Sequence, residues 1–208
     1  NPNAVIETSI NASWQRDLIS ILSTSVQKYE KPINVAGLVV ERRTGLVKAY
    51  AGSSSYIDND RKGSVNYLTA LRSPGSTLKP LIYAKALERK LIEEGHIFKD
   101  SQIQRGGYTP SNFDKIFNGQ VTLKEALTRS LNIPAIQTLE LIGVNGFENS
   151  LRTFIAQDIM QNYKSGLTAA VGGFYLSAEN LAEIYLEIAD PGHSSKLRFD
   201  TEEPELTS

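Results

Sequence analysis

RSPGSTLKP, residues Arg72 to Pro80, sets a serine and a lysine three positions apart between two prolines. On a helix that spacing brings Ser76 and Lys79 to one face, about one turn apart. Pro80 lacks an N–H and is cheap only in a first turn, so a helix is expected to begin beside it. Ser76 then falls at or just before that turn, where free backbone N–H groups and the positive helix end favour a developing oxyanion. Lys79 can take the serine proton if desolvation and nearby cations lower its pKa. Pro74-Gly75 lets the chain turn tightly ahead of the serine. The bare pattern is weak evidence. Ser25-Val26-Gln27-Lys28 repeats it on the solvated face of an amphipathic stretch, and Ser76 taken alone is equally an N-cap.

Upstream, Trp14, Leu18, Ile21 or Leu22, and Val26 recur at helical spacing and predict a helix over 13–29. Val35 to Val40 and Leu46 to Ala51 are β-rich and flank Thr44-Gly45, which predicts an antiparallel hairpin. Residues 53–64 are polar and read as a surface loop. Downstream, Leu81, Ala84, Leu87 and Leu91 mark a helix face, and Gly95 is the expected stop. Residues 99–120 read as an irregular loop. Short helices are expected at 122–130, from Pro134 to about Leu141, at 146–157, and at 176–188 after Gly172-Gly173. The polar tail from Asp190 is expected to be poorly ordered.

With 208 residues, 40% of them hydrophobic, the chain can bury a core as one domain or two small ones. A formal net charge of −1 argues against nucleic acid or an anionic membrane as a bulk partner. No apolar run approaches the roughly 18 residues of a membrane span, and no secretory signal is visible. The chain starts at Asn1 and its one methionine is Met160, so it reads as a piece of a longer protein. The lack of cysteine removes disulfides, zinc–thiolate sites and thiol nucleophiles. His96 and His193 have no metal-ligand spacing and read as surface residues, and no metal site is expected.

Ser130-Leu131-Asn132 falls in a turn between two predicted helices. Two residues apart, Ser and Asn can project the same way, the hydroxyl to relay a proton and the amide to hold a substrate carbonyl. Ser9-Ile10-Asn11 and Ser64-Val65-Asn66 share the pattern, so Ser130 and Asn132 are also readable as one helix end and the next helix cap.

S-x-x-K followed by S-x-N is the motif order of penicillin-binding proteins and class A β-lactamases. The chain resembles that superfamily beyond the motifs. RSPGSTLKPLIYAKAL is similar to the nucleophile segment of class A penicillin-binding proteins. GGYTPSNFDKIFNGQVTLKEALTRSLNIPAIQTLELIG resembles their segment running through S-x-N. AVGGFYLSAENLAEIYLEIA resembles their Gly-Gly helix entry, and VIETSINASWQRDL the start of their transpeptidase domain, with Trp14 where leucine is commoner. The R-S-P-G-S-T-L-K-P form, the short loops and SKLRFDTEEPEL most resemble the 1C subtype.

The resemblance implies an α+β, partial transpeptidase fold, mostly helical, with an N-terminal hairpin and the last sheet strands missing. It implies a transpeptidase domain over 1–190 and a polar tail over 191–208. It makes Ser76 the acyl nucleophile, Lys79 its general base, Ser130 the proton relay and Asn132 the substrate-binding amide. No metal or organic cofactor is implied. The implied partners are peptidoglycan stem peptides and β-lactams, at the periplasmic face of the inner membrane, with an anchor upstream. Asn66 matches a family asparagine but also reads as a loop cap. Tyr108, Asn112 and Phe113 are expected to pack beside the cleft, and Gly172 and Gly173 to allow close packing.

The family's third motif, Lys-Thr-Gly, occurs nowhere in the chain. Arg43-Thr44-Gly45 is its nearest mimic and reads as a hairpin turn. The resemblance therefore implies a chain that stops before K-T-G, with weak activity of its own and a hairpin edge left to self-associate. Two other readings stand beside the transpeptidase: a serine β-lactamase or D,D-carboxypeptidase, for which Glu125 is a solvated and poor base candidate, and a non-catalytic penicillin sensor or scaffold.

Overall fold

In a computed structural model, which describes residues 7–30, 33–155, 165–190 and 196–200, the chain is α+β and divides into two compact units. One is formed by the chain up to Leu71 together with the stretch from Ser177 onward, the other by Arg72–Leu176.

In the first unit, helix α1 spans Ala12–Val26 because Asn11 caps it, its amide oxygen accepting from the N–H groups of Ser13 and Trp14. The hairpin forms as expected, with β1 at Gly37–Val40 and β2 at Val47–Ala51 in antiparallel register, Leu38 opposite Tyr50. Gly45, at φ +69°, makes the turn, so Arg43-Thr44-Gly45 is a hairpin tip. Strand β2 buries Val47, Ala49 and Ala51, and α1 buries Leu22 and Val26. The outer edge of β2 is not bare. The Gln15 side chain bonds both main-chain groups of Tyr50, at 2.9 and 2.7 Å, and Val47 N–H donates to Arg198 O at 2.8 Å. Residues 196–200 of the tail are thus tied into the unit, and the rest of the tail from 201 lies outside the described residues. Asn66 behaves as a loop cap, its amide oxygen accepting from Leu68 N–H at 3.0 Å. The last helix, α6, runs over Ala178–Ala189 from a Ser177–Asn180 capping box.

In the second unit, a 3-10 turn at Gly75–Leu78 runs straight into α2, Lys79–Glu88. Helix α2 does not reach Gly95. Lys90 takes the left-handed conformation at φ +55°, its N–H bonds Leu87 O, and Leu91 N–H bonds Ala86 O. That pair of bonds is a Schellman stop, which needs one left-handed residue and found lysine instead of glycine. The stretch expected to be an irregular loop carries a second hairpin. Strand β3, Ile97–Asp100, pairs antiparallel with β4, Gly119–Thr122. Their sequences, IFKD and GQVT, lack a strict apolar–polar alternation.

Helix α3, Leu123–Thr128, starts from a Thr122–Glu125 capping box. Helix α4, Asn132–Ile142, is the unit's buried axis, with Ile133, Ala135, Ile136 and Leu139 fully enclosed. Helix α5 covers Val144–Leu151, starting and stopping earlier than expected, and Gln157 lies outside the described residues. A 3-10 helix at Gly166–Val171 then leads to Gly172. The unit closes where Arg72 and Leu176 exchange both main-chain hydrogen bonds, at 2.9 and 2.8 Å.

Candidate active site

All four motif residues belong to the second unit. Ser76 sits in the 3-10 turn, one residue past Gly75, whose φ of +55° allows the tight entry. Its hydroxyl is exposed and, among the described residues, makes no hydrogen bond. Lys79 is the first residue of α2 and is 1% exposed.

The Lys79 amine does not bond Ser76. It reaches the S-x-N turn, lying 2.6 Å from Ser130 O, 3.2 Å from Ser130 Oγ and 2.8 Å from Asn132 Oδ1. An ammonium has three donors, and three acceptors meet it. Burial nonetheless pushes its pKa from 10.5 down to about 8. When Lys79 loses a proton, one of the three contacts must reverse. The Ser130 carbonyl and the Asn132 amide oxygen only accept, so the Ser130 hydroxyl alone can turn to donate. The Lys79 lone pair then faces the Ser130 O–H, which is a proton path between the two side chains.

Ser130 has left-handed backbone, at φ +54°. It ends α3 as Lys90 ends α2: Ser130 N–H bonds Leu127 O at 3.0 Å and Leu131 N–H bonds Ala126 O at 2.9 Å. Asn132 is the first residue of α4. Its Nδ2 donates to Ser111 O at 2.8 Å, which leaves its second amide hydrogen open to a ligand carbonyl. Its backbone N–H donates to Asn112 Oδ1 at 2.8 Å.

Asn112 is 3% exposed, and Phe113 beside it is fully exposed, so the expected packing holds for the first and fails for the second. Gly172, at φ +95°, brings its main chain against the nucleophile turn. A Cβ there would stand 2.5 Å from Gly75 Cα and N, and Gly172 O accepts from Ser73 Oγ at 2.7 Å. At Gly173 a Cβ would overlap Thr168. His96 is half-buried with its ring 4.5 Å from that of Phe98, not a surface residue, and His193 lies outside the described residues. The second serine–lysine pair leads nowhere: Ser25 Oγ donates to Leu22 O within α1, and Lys28 is exposed. Among the described residues no group of three or more His, Cys, Asp or Glu side chains is placed to hold a metal. What the sequence reading missed altogether is Asp100, buried at the end of β3 and bonded to Asn112.

The sequence matches the family described as penicillin binding protein transpeptidase domain over residues 35–202. It is 34% identical to penicillin-binding protein 1C of Escherichia coli K12 over 97% of this chain, and spans about a quarter, 26%, of that protein's length. The fold is similar to that of penicillin-binding protein 1A from Haemophilus influenzae, with a TM-score of 0.64 and 27% identity over 75% of this chain and 23% of that one. It is also similar to PonA1 of Mycobacterium tuberculosis in complex with penicillin V, with a TM-score of 0.78 and 20% identity over 94% of this chain and 54% of that one.

Proposed function

Because the chain belongs to the penicillin-binding protein transpeptidase-domain family, we propose that it carries the acyl-transfer half-site of a peptidoglycan D,D-transpeptidase with a serine mechanism. One observation carries the reading: the buried Lys79 amine joins the S-x-x-K turn to both polar groups of S-x-N.

In this reading Ser76 Oγ attacks the penultimate D-alanine carbonyl of a stem peptide, and its proton passes toward Lys79. Asn132 Nδ2 holds the donor-peptide carbonyl. The tetrahedral intermediate collapses as its C–N bond breaks, and the departing D-alanine amine takes a proton through the Lys79–Ser130 path. An amine of a second stem peptide then attacks the Ser76 ester and releases the serine. A β-lactam enters the same sequence and leaves Ser76 acylated.

The hydrolytic alternatives, a β-lactamase or carboxypeptidase, need a base for water. Glu125, the acidic side chain closest in sequence to S-x-N, is exposed and engaged in the Thr122 capping box, which favours transfer to an amine. The proposed setting is the periplasmic face of the bacterial inner membrane. No helix among the described residues is long and apolar enough to cross a membrane, so an anchor would have to come from elsewhere in the protein. Lys-Thr-Gly is absent from the 208 residues, so this chain alone is expected to bind penicillin weakly and to self-associate through the half-exposed β1.

Peptide mass spectrometry after penicillin treatment of the full-length protein tests the assignment. A single adduct on Ser76 is expected. An adduct on Ser25 or Ser130 with Ser76 unmodified overturns it. Penicillin binding without any cross-linking of stem peptides instead favours a sensor or scaffold.

A further inference from the structure

A buried carboxylate, Asp100, is linked to the S-x-N turn through Asn112. Asp100 is 0% exposed, and among the described residues no Lys or Arg pairs with it. Its partners are amides. Asn112 Nδ2 lies 2.9 Å from both of its oxygens, and Asn118 donates its backbone N–H at 2.9 Å and its Nδ2 at 2.6 Å. Burying a carboxylate is costly, and these donors offset that cost only if all of them point inward.

That requirement fixes the Asn112 amide. Its NH2 must face Asp100 and Ile116 O, the latter at 2.8 Å, so its oxygen faces the start of α4. There it accepts from Asn132 N–H at 2.8 Å and approaches Ile133 N–H at 3.5 Å. Helix α4 needs this outside help, because its own N-cap, Leu131, supplies no side-chain oxygen. Asn132, held by its main chain, presents Oδ1 to Lys79. Asp100, Asn112, Asn132 and Lys79 thus form one chain of hydrogen bonds from β3 to α2.

We infer that Asp100 and Asn112 are positioning residues for the reaction, setting Asn132, and through it Lys79, without touching the substrate. The inference rests on the transpeptidase reading of the site. Asp100→Asn keeps the shape but places a donor among donors, which frees Asn112 to flip and withdraw the acceptor from Asn132. Asn112→Asp sets two carboxylates face to face. The exchange of the two, Asp100→Asn with Asn112→Asp, restores the link from position 100 to Asn132. The amide introduced at position 100 then donates to the carboxylate introduced at position 112, whose other oxygen accepts from Asn132 N–H, while Ile116 O loses its donor, so the exchange is expected to melt below wild type.

The test is the acylation rate of the full-length protein with a fluorescent penicillin, counted per folded molecule, beside the thermal midpoint. Each single variant is expected to acylate about 10–100-fold more slowly, the scale of a small misplacement at a reacting centre. The exchange is expected to return the rate to within about threefold of wild type, because the two sites couple directly. Asn118→Ala removes one side-chain donor to Asp100 and the exposed Arg129 contact, keeps the backbone N–H bond to Asp100, and leaves Asn112 in place. It is expected to lower the thermal midpoint while acylation stays within about twofold. Single variants acylating at the wild-type rate overturn the inference. So does a folded exchange variant that remains at least tenfold slow. Amide hydrogen exchange at Asn132 reads the same link whether or not the protein is acylated: faster in Asp100→Asn and restored in the exchange. A wild-type protein that takes no label on Ser76 sinks the transpeptidase reading instead, and unchanged exchange at Asn132 in Asp100→Asn sinks this one.

Discussion

The side-chain nitrogen of Lys79 stands 2.6 Å from the main-chain oxygen of Ser130, a residue held at φ +54°. Left-handed backbone costs a residue with a Cβ about 1–2 kcal/mol, and glycine is the usual occupant of this position at a helix end. Glycine would keep the main-chain oxygen but lose the hydroxyl. Lys90 carries the same strain, so what distinguishes Ser130 is its hydroxyl, 3.2 Å from the Lys79 amine.

Lys90 provides the matched control, since it stops α2 by the same two-bond pattern. Lys90→Gly should stabilise the protein by about 1 kcal/mol and leave acylation unchanged. Ser130→Gly should unfold within about 1 kcal/mol of wild type, or later, yet acylate at least 10²-fold more slowly, the typical scale of proton-transfer help. Denaturant unfolding and penicillin labelling check both. Unimpaired labelling of Ser130→Gly removes the hydroxyl from the proton path.

Lys79→Ala should slow acylation by about 10²–10⁴ while the protein still folds. Stopped-flow labelling at the wild-type rate in that variant rules Lys79 out as the base.

Burial lowers the Lys79 pKa to about 8, and in the proposed mechanism the proton acceptor is the neutral amine. The acylation rate should therefore climb with pH and level off above about 8. Stability follows the same group. Between pH 8 and the ordinary lysine value of 10.5 the unfolded chain binds the extra proton, so the Lys79 contribution grows as pH rises through that window and is lost as pH falls back to 8. Lys79→Met should erase this pH-dependent component. A pH–stability curve identical to wild type between 8 and 10.5 would show that the burial has no such effect.

Gly172→Ala would put a methyl group 2.5 Å from Gly75 main-chain atoms at φ +95°. Main chain cannot yield as a side-chain tip can. The expected outcome is a loss on the order of 2 kcal/mol in stability and about 10²-fold in acylation, through displacement of the serine turn. Gly95→Ala, in open space, should change neither. Equal behaviour of the two variants would mean that Gly172 does not set the turn.

The start of α2 and the S-x-N turn are legible in the sequence because their signals are local: Pro80 fixes a first turn, and Ser76 and Lys79 lie three residues apart. The end of α2 is not, because the left-handed position that stops it holds Lys90 and not a glycine. The β3–β4 pair is hidden because Asp100 and Gly119, its innermost partners, stand on opposite sides of the irregular stretch between the strands. Asp100 itself reads as an ordinary polar loop residue. Its meaning depends on Asn112 and Asn132, which come together with it only after β3 and α4 have formed.

Arg72 and Leu176 also govern how the molecule could be edited. Because they pair main chain to main chain, the polypeptide enters and leaves the second unit at one place. Segments whose ends meet in this way are suited to transplantation and circular permutation. Residues 72–176 could be spliced into a foreign loop, with Ser76, Lys79, Ser130 and Asn132 travelling together as one cassette.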